Sequence, residues 1–262
     1  QGLYGLPLPI VSSHYFEEPY LVHFQLFFVI EADQICSKSN SSSYLSLVAF
    51  RETYGKTPDL NRGQVVWTAN VDAPVGENAC LELSDGDGNL KLVDYDANKT
   101  VWQTNYTNSG ATNTSLTITY EGNLVLFTNT TSDTDATLKQ RVLWQSYDEP
   151  TDTLMVLQAL RYGRNLTTAT AITTSMSVFG SSNKTAKYKL VLRPGGAVVL
   201  FVEIGYQYQP DASYISQPYE SQYWASAPPH SNDTKLYDAA LCWYPGNQSN
   251  LYLVFVSANG SV

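Results

Sequence analysis

The residues of this sequence that could do chemistry sit in acidic turns. Asp85-Gly86-Asp87-Gly88-Asn89 opens like a calcium loop, with oxygen ligands at alternate positions. An EF-hand loop also needs Gly at its sixth position and Glu at its twelfth. Here those positions hold Leu90 and Asp96. A hairpin turn explains the same residues better, because Gly and Asn both tolerate positive φ. Asp148 and Asp152 are the carboxylate pair that glycoside hydrolysis would require. Their setting among Pro150, Thr151 and Thr153 suits turn capping, in which Asp side chains close loops on nearby N–H groups. His14, His23 and His230 lie far apart, and none has a motif partner. There is no Gly-x-Ser-x-Gly, no His-Glu-x-x-His and no phosphate-binding loop. The sequence therefore predicts no catalytic residue, no metal site and no cofactor.

The elements around these turns repeat. Leu81-Glu82-Leu83 leads through Gly88-Asn89-Leu90-Lys91-Leu92 to Val101-Trp102-Gln103-Thr104-Asn105. Leu116-Thr117-Ile118 leads through Gly122-Asn123-Leu124-Val125-Leu126 to Val142-Leu143-Trp144-Gln145-Ser146. Val65-Val66-Trp67-Thr68-Ala69-Asn70 matches the Trp half, and Tyr44 to Phe50 could supply its partner strands. Alternation with period two makes half-buried strands, and Gly-Asn between two of them makes a hairpin. One such unit cannot bury its own apolar face. Three around an axis can, with Trp67, Trp102 and Trp144 meeting inside.

A weaker fourth copy runs from Tyr188-Lys189-Leu190-Val191-Leu192 through Pro194-Gly195-Gly196 and Val198-Val199-Leu200-Phe201 to Tyr223-Trp224-Ala225-Ser226. We expect three segments: residues 1–42 as an N-terminal extended segment, 43–165 as a three-fold β domain, and 166–262 as a second, incomplete β domain. Tyr20 to Ile30 is strongly β-prone and nearly uncharged, so a stable protein must cover it. Two placements do so. The strand docks on the open edge of another copy, giving a homo-oligomer or filament, or it folds back onto its own chain.

Bulk composition narrows the partners. The net charge of -9 excludes nucleic acid, which asks for basic patches, and disfavours anionic lipid. The longest apolar run, Leu21 to Ile30, is far shorter than the roughly 20 residues a helical span needs, so no membrane partner is expected. Asn-x-Ser/Thr sequons occur at Asn40, Asn98, Asn105, Asn113, Asn129, Asn165, Asn183, Asn232, Asn247 and Asn259. Ten in 262 residues is several times what chance scatters, and indicates a glycan coat acquired in the secretory pathway. Gln1 reads as a mature N-terminus left by signal-peptide removal. Cys36, Cys80 and Cys242 are the disulfide candidates. Two of them would pair in an oxidising compartment and one is left over, with the pairing open. Cys80 alternates with Glu82, which puts it on the polar face of its strand.

Four stretches carry a family resemblance: Val66-Trp67-Thr68-Ala69-Asn70, Pro74-Val75-Gly76-Glu77-Asn78-Ala79, Val101-Trp102-Gln103-Thr104-Asn105, and Trp144 through Leu154 (Trp-Gln-Ser-Tyr-Asp-Glu-Pro-Thr-Asp-Thr-Leu). They resemble the bulb-type, or G-type, lectin domain of S-locus glycoproteins and receptor kinases, and the plant epidermis-specific secreted glycoproteins. The resemblance implies an all-β fold: a three-fold β-prism followed by a second, partial prism-like domain. It also implies one mannose site per repeat, with the motif Gln-x-Asp-x-Asn-x-Val-x-Tyr. The first copy reads Asp85, Asp87, Asn89, Lys91, Val93 at those positions, and the second reads Thr119, Glu121, Asn123, Val125, Phe127. In the fourth copy the polar positions hold Leu192, Pro194 and Gly196. The expected function is a secreted, non-catalytic matrix or cell-wall glycoprotein with degenerate sugar sites, the alternative being a working mannose lectin. The expected partners are glycans or cell-wall polysaccharide, in the plant apoplast or wall.

Overall fold

In the computed structural model the described residues are 4–5, 11–12, 20–30, 43–53, 63–84, 87–106, 114–131, 138–155, 157–168, 172–174, 184–193, 197–206, 219–226, 237–243 and 251–257. They form an all-β protein, and among the described residues the one helical element is a 3-10 turn, Ser146–Asp148. Two compact units result, Gln1–Tyr147 and Asp148–Val262.

The first unit holds three antiparallel sheets. The first sheet contains β1 (Tyr4–Gly5), β2 (Val11–Ser12), β3 (Tyr20–Ile30), β4 (Ser43–Thr53) and β5 (Gln64–Thr68). The second contains β6 (Ala79–Leu83), β7 (Leu90–Asp94) and β8 (Lys99–Gln103). The third contains β9 (Thr114–Ile118), β10 (Leu124–Thr131) and β11 (Leu138–Gln145). Each sheet sends one tryptophan inward. Trp67, Trp102 and Trp144 pack edge to face, with centroids 5.6, 5.6 and 5.5 Å apart. Leu47, Leu92 and Leu126, each fully buried, stand directly opposite these three rings in register. The Trp144 indole N–H finds no hydrogen-bond acceptor among the described residues.

How a Trp turns inward is visible in the register. After each Leu–Trp pair the ladder slips by one residue, so Val66, Val101 and Leu143 have no partner opposite. The residue before each Trp is thus the extra residue of a β-bulge, which re-aims the side chain that follows. The apolar-Trp dipeptides in the sequence mark these bulges.

The first repeat takes its partner strands from upstream, as its Trp half requires. β4 pairs with β5, and Leu47 faces Trp67. Tyr20 to Ile30 folds back onto its own chain: β3 pairs with β4 along its whole length, from Tyr20↔Thr53 to Ile30↔Ser43. β1 and β2 pair with its other edge at Tyr4↔Ile30 and Val11↔Leu26. Among the described residues, this strand is therefore paired within its own chain along one edge and at Gln25, Leu26, Val29 and Ile30 along the other. Its Phe24 lies against Gly122, in the β9–β10 hairpin.

The second unit contains β12 (Ala159–Leu160), β13 (Asn165–Thr167), β14 (Ile172–Thr174), β15 (Lys184–Leu192), β16 (Val198–Tyr206), β17 (Tyr219–Ala225), β18 (Tyr237–Trp243) and β19 (Leu251–Ser257). β13 and β14 pair with β15, which continues to β16 and β17, while β12, β18 and β19 form a second sheet. Leu160, Leu192 and Val198 make its buried core, with Leu154, Leu166 and Leu190 packed against them. β15, β16 and β17 reproduce the repeat of the first unit. Leu200 faces Trp224, and the ladder slips immediately after, leaving Tyr223 as the bulge residue. Trp224 is nevertheless 48% exposed.

Candidate carbohydrate-binding faces

The two candidate motifs begin in the turns before β7 and β10 and continue along the outward faces of those strands. Successive side chains of a strand alternate between faces. Leu90 and Leu92, like Leu124 and Leu126, point inward and are buried, leaving Lys91 and Val93, and Val125 and Phe127, on the opposite faces. Each turn is closed by a main-chain bond, from Ser84 N to Asn89 O at 2.8 Å and from Thr119 N to Asn123 O at 2.8 Å. Gly88 and Gly122 take positive φ there, 69° and 88°.

The two motif asparagines make parallel bonds, each accepting from a hydroxyl and a main-chain N–H just after its Trp strand and donating to a different kind of acceptor. Asn89 Oδ1 accepts from Thr104 Oγ1 at 2.9 Å and Tyr106 N at 2.7 Å, and its Nδ2 donates to Tyr106 O at 2.9 Å. Asn123 Oδ1 accepts from Ser146 Oγ and Tyr147 N, both at 3.2 Å, and its Nδ2 donates to Gln145 Oε1 at 2.9 Å. A side-chain amide offers two acceptor positions and two N–H groups. Both acceptor positions and one N–H are spent inside the protein at each turn, and both residues are buried. The hydroxyl that each Asn holds also accepts from the next strand. Leu90 N donates to Thr104 Oγ1 at 3.2 Å, and Leu124 N to Ser146 Oγ at 3.0 Å. Each asparagine therefore braces the hairpin to the end of its Trp strand. The signal for these partners in the sequence is the residue pair after each Trp, Gln103-Thr104 and Gln145-Ser146.

The remaining motif positions are altered in different ways. In the first copy Lys91 stands at the Val position, and its Nζ lies 2.8 Å from Asp87 Oδ2. That ion pair, with the N–H of Asn89, holds the Asp87 carboxyl far below the ordinary carboxylate range. Val93, at the Tyr position, faces Cys80 and Thr100. Asp85 lies outside the described residues. Tyr95 donates to Glu82 on the same face, and this bond raises its phenol pKa. In the second copy Val125, which would pack on the ring carbons of a sugar, is already buried at 7% exposure. Phe127 is half-buried and lacks a hydroxyl. Burial opposes the charge on Glu121, but hydrogen bonds from Tyr120 and Thr119 outweigh it and lower its pKa. The Tyr147 hydroxyl donates to Glu121 O at 2.6 Å, and burial pushes that phenol up, with the Glu121 charge adding to it.

The fourth copy corrects the sequence alignment by one residue. Arg193 N donates to Ala197 O at 2.8 Å, the bond that Asn89 and Asn123 close elsewhere. Val198 N donates to Ser226 Oγ at 2.9 Å, as Leu90 and Leu124 do to Thr104 and Ser146. Ala197 is therefore the counterpart of the motif Asn, not Gly196. Pro-Gly-Gly marks a turn without fixing its register, and Ala197 has no side-chain amide to brace the hairpin.

Asp148 and Asp152 are engaged separately. Asp148 Oδ1 lies 3.5 Å from Arg161 Nε, and Asp152 Oδ1 accepts from Thr153 Oγ1 at 3.0 Å, a local loop contact of the capping kind. Cys80 is a free, exposed thiol on the face its alternation indicated. Cys36 and the side chain of Cys242 lie outside the described residues. Of the ten sequon asparagines, Asn98, Asn105, Asn129 and Asn165 are described, and all four are exposed. Asn40, Asn113, Asn183, Asn232, Asn247 and Asn259 lie outside the described residues.

Residues 64–177 match the family model described as D-mannose binding lectin. The chain is 28% identical over 212 residues to the G-type lectin S-receptor-like serine/threonine-protein kinase B120 of Arabidopsis thaliana, covering 80% of this chain and 23% of that protein. It is 37% identical over 101 residues to the S-locus-specific glycoprotein of Brassica oleracea var. alboglabra, covering 38% of this chain and 21% of that protein. The chain thus spans about a quarter or less of the curated relatives it matches. No solved structure matches. The fold and these matches define a bulb-type lectin domain. The chain that carries it is S-locus-glycoprotein-like.

The shared brace carries a prediction. Asn123→Ala would leave the Tyr147 N–H and the Ser146 hydroxyl without their acceptor in a buried setting, which costs about 1–3 kcal/mol. Urea unfolding should show that loss with no sugar present, and Asn89→Ala should match it.

Proposed function

We propose that this is a secreted, non-catalytic glycoprotein of the plant extracellular matrix or cell wall, in which the bulb-type lectin fold serves as a structural or interaction module. The observation that carries this reading is the engagement of Asn89 and Asn123. The only motif residue retained in both copies has its oxygen committed to the protein's own Thr104, Tyr106, Ser146 and Tyr147. A fold carries a function only where the site survives. Neither copy has the Gln or Tyr of the motif, and the Asp87–Lys91 ion pair stands where the first copy would meet a sugar.

The exposed settings of Asn98, Asn105, Asn129 and Asn165 support the glycosylated, secreted part of the reading. At Asn165 the sequon hydroxyl Thr167 Oγ1 donates to Asn165 Oδ1 at 2.9 Å, so the two groups a sequon requires stand together on the surface. The second reading, a working mannose- or glycan-binding lectin, is favoured by the match over residues 64–177. Two measurements on protein purified from a plant secretory host separate these readings. Intact mass should fall by several glycans on enzymatic deglycosylation, and a mass equal to the bare chain would sink the secretory reading. Passage over mannose-agarose should give no retention. Retention that free mannose elutes would establish the lectin instead.

A further inference from the structure

Phe127 occupies the position where the mannose motif has Tyr, and it lies two residues before the sequon asparagine Asn129. Among the ten sequons this is the only one with a phenyl ring at that spacing. On the regular strand β10 the two side chains project from the same face, about 7 Å apart along the strand. The register places Val142 of β11 directly opposite Phe127, and Gln140 opposite Asn129. Val142 is 54% exposed, Phe127 is half-buried and Asn129 is exposed. On the other side, the described part of the β9 ladder ends at Thr114, opposite Thr128. An apolar shelf therefore leads up to a glycan attachment point.

We propose that Phe127 and Val142 form the seat for the first sugar of an N-glycan on Asn129. The inference rests on the secreted, glycosylated reading above. One face of N-acetylglucosamine presents axial C–H groups, which pack on an aromatic ring without needing a hydroxyl partner. Loss of the Tyr hydroxyl removes a hydrogen bond to an incoming sugar but leaves this packing intact. The third sheet would then hold a sugar that the protein carries covalently.

The test uses the full chain from a secretory host, trimmed enzymatically to a single N-acetylglucosamine per site. Four proteins are compared: wild type, Phe127→Leu, Asn129→Gln and the double variant. Phe127→Leu keeps the residue apolar, so the fold survives while the ring is lost. Glycopeptide mass spectrometry reports occupancy at Asn129, and thermal unfolding reports stability. Asn129→Gln should lower the midpoint by about 2–4 °C in the wild-type background, and by much less once Phe127 is Leu. Val142→Ala should weaken the same coupling. Occupancy at Asn129 with strictly additive shifts overturns the proposal alone. An unoccupied Asn129 in wild type overturns it together with the glycosylated reading at that position.

Discussion

Trp144→Ala should cost the first unit about 3–5 kcal/mol, the range for deleting a buried aromatic side chain from a core. The ring touches both of its counterparts, at 5.6 Å to Trp67 and 5.5 Å to Trp102, so its removal leaves two faces on a void. Small domains are stable by about 5–15 kcal/mol in all, so the loss is a large fraction of the whole. Urea unfolding followed by near-UV circular dichroism should show an earlier midpoint and a collapsed aromatic signal. Trp67→Ala should behave alike, because the three rings form one cluster. Trp224 provides the control. It occupies the same register position, opposite Leu200, but is 48% exposed, and Trp224→Ala should cost only about 1–2 kcal/mol. Equal losses at Trp144 and Trp224 would contradict a tryptophan-centred core in the first unit.

Gly122→Ala should cost roughly 2–5 kcal/mol, from two separate causes. Gly122 has φ +88°, a conformation in which an added Cβ is strained by about 1–2 kcal/mol. That Cβ would also stand 2.5, 2.7 and 2.9 Å from three carbons of the Phe24 ring. Phe24 is 4% exposed and has little room to retreat, so an overpacking cost of about 1–3 kcal/mol follows. Gly163 separates the two causes. Its φ is +84° with nothing within 4 Å of an added Cβ, so Gly163→Ala should show the backbone cost alone. In the double variant with Phe24→Ala, part of the Gly122→Ala loss should be recovered. Thermal unfolding of the four proteins gives the coupling directly, and strictly additive losses would show that the two residues do not touch.

The repeats were legible because their signals are local. Period-two alternation, Gly-Asn turns and the apolar-Trp dipeptide each specify a strand, a hairpin or a bulge without distant help, and the tryptophan cluster follows from three such units. The fate of the N-terminal strand was not legible. Tyr20 to Ile30 is equally suited to pairing within the chain or between copies, and its pairing with β4 is specified by residues more than a dozen positions downstream. The roles of Asn89 and Asn123 were half legible. Their suitability for turns was plain, but the partners Thr104, Tyr106, Ser146 and Tyr147 lie 15 to 24 residues away. The one-residue error in the fourth copy has a similar cause. A Pro-Gly-Gly turn fixes no register by itself, and the Ser226 hydroxyl that does is far along the chain.

We propose that the retained asparagines hold the fold together instead of reading mannose. Calorimetric titration of the folded glycoprotein with free mannose tests it most directly. No saturable heat is expected up to millimolar sugar. Saturable binding with Kd below about 1 mM, a free energy near -4 kcal/mol, would contradict it.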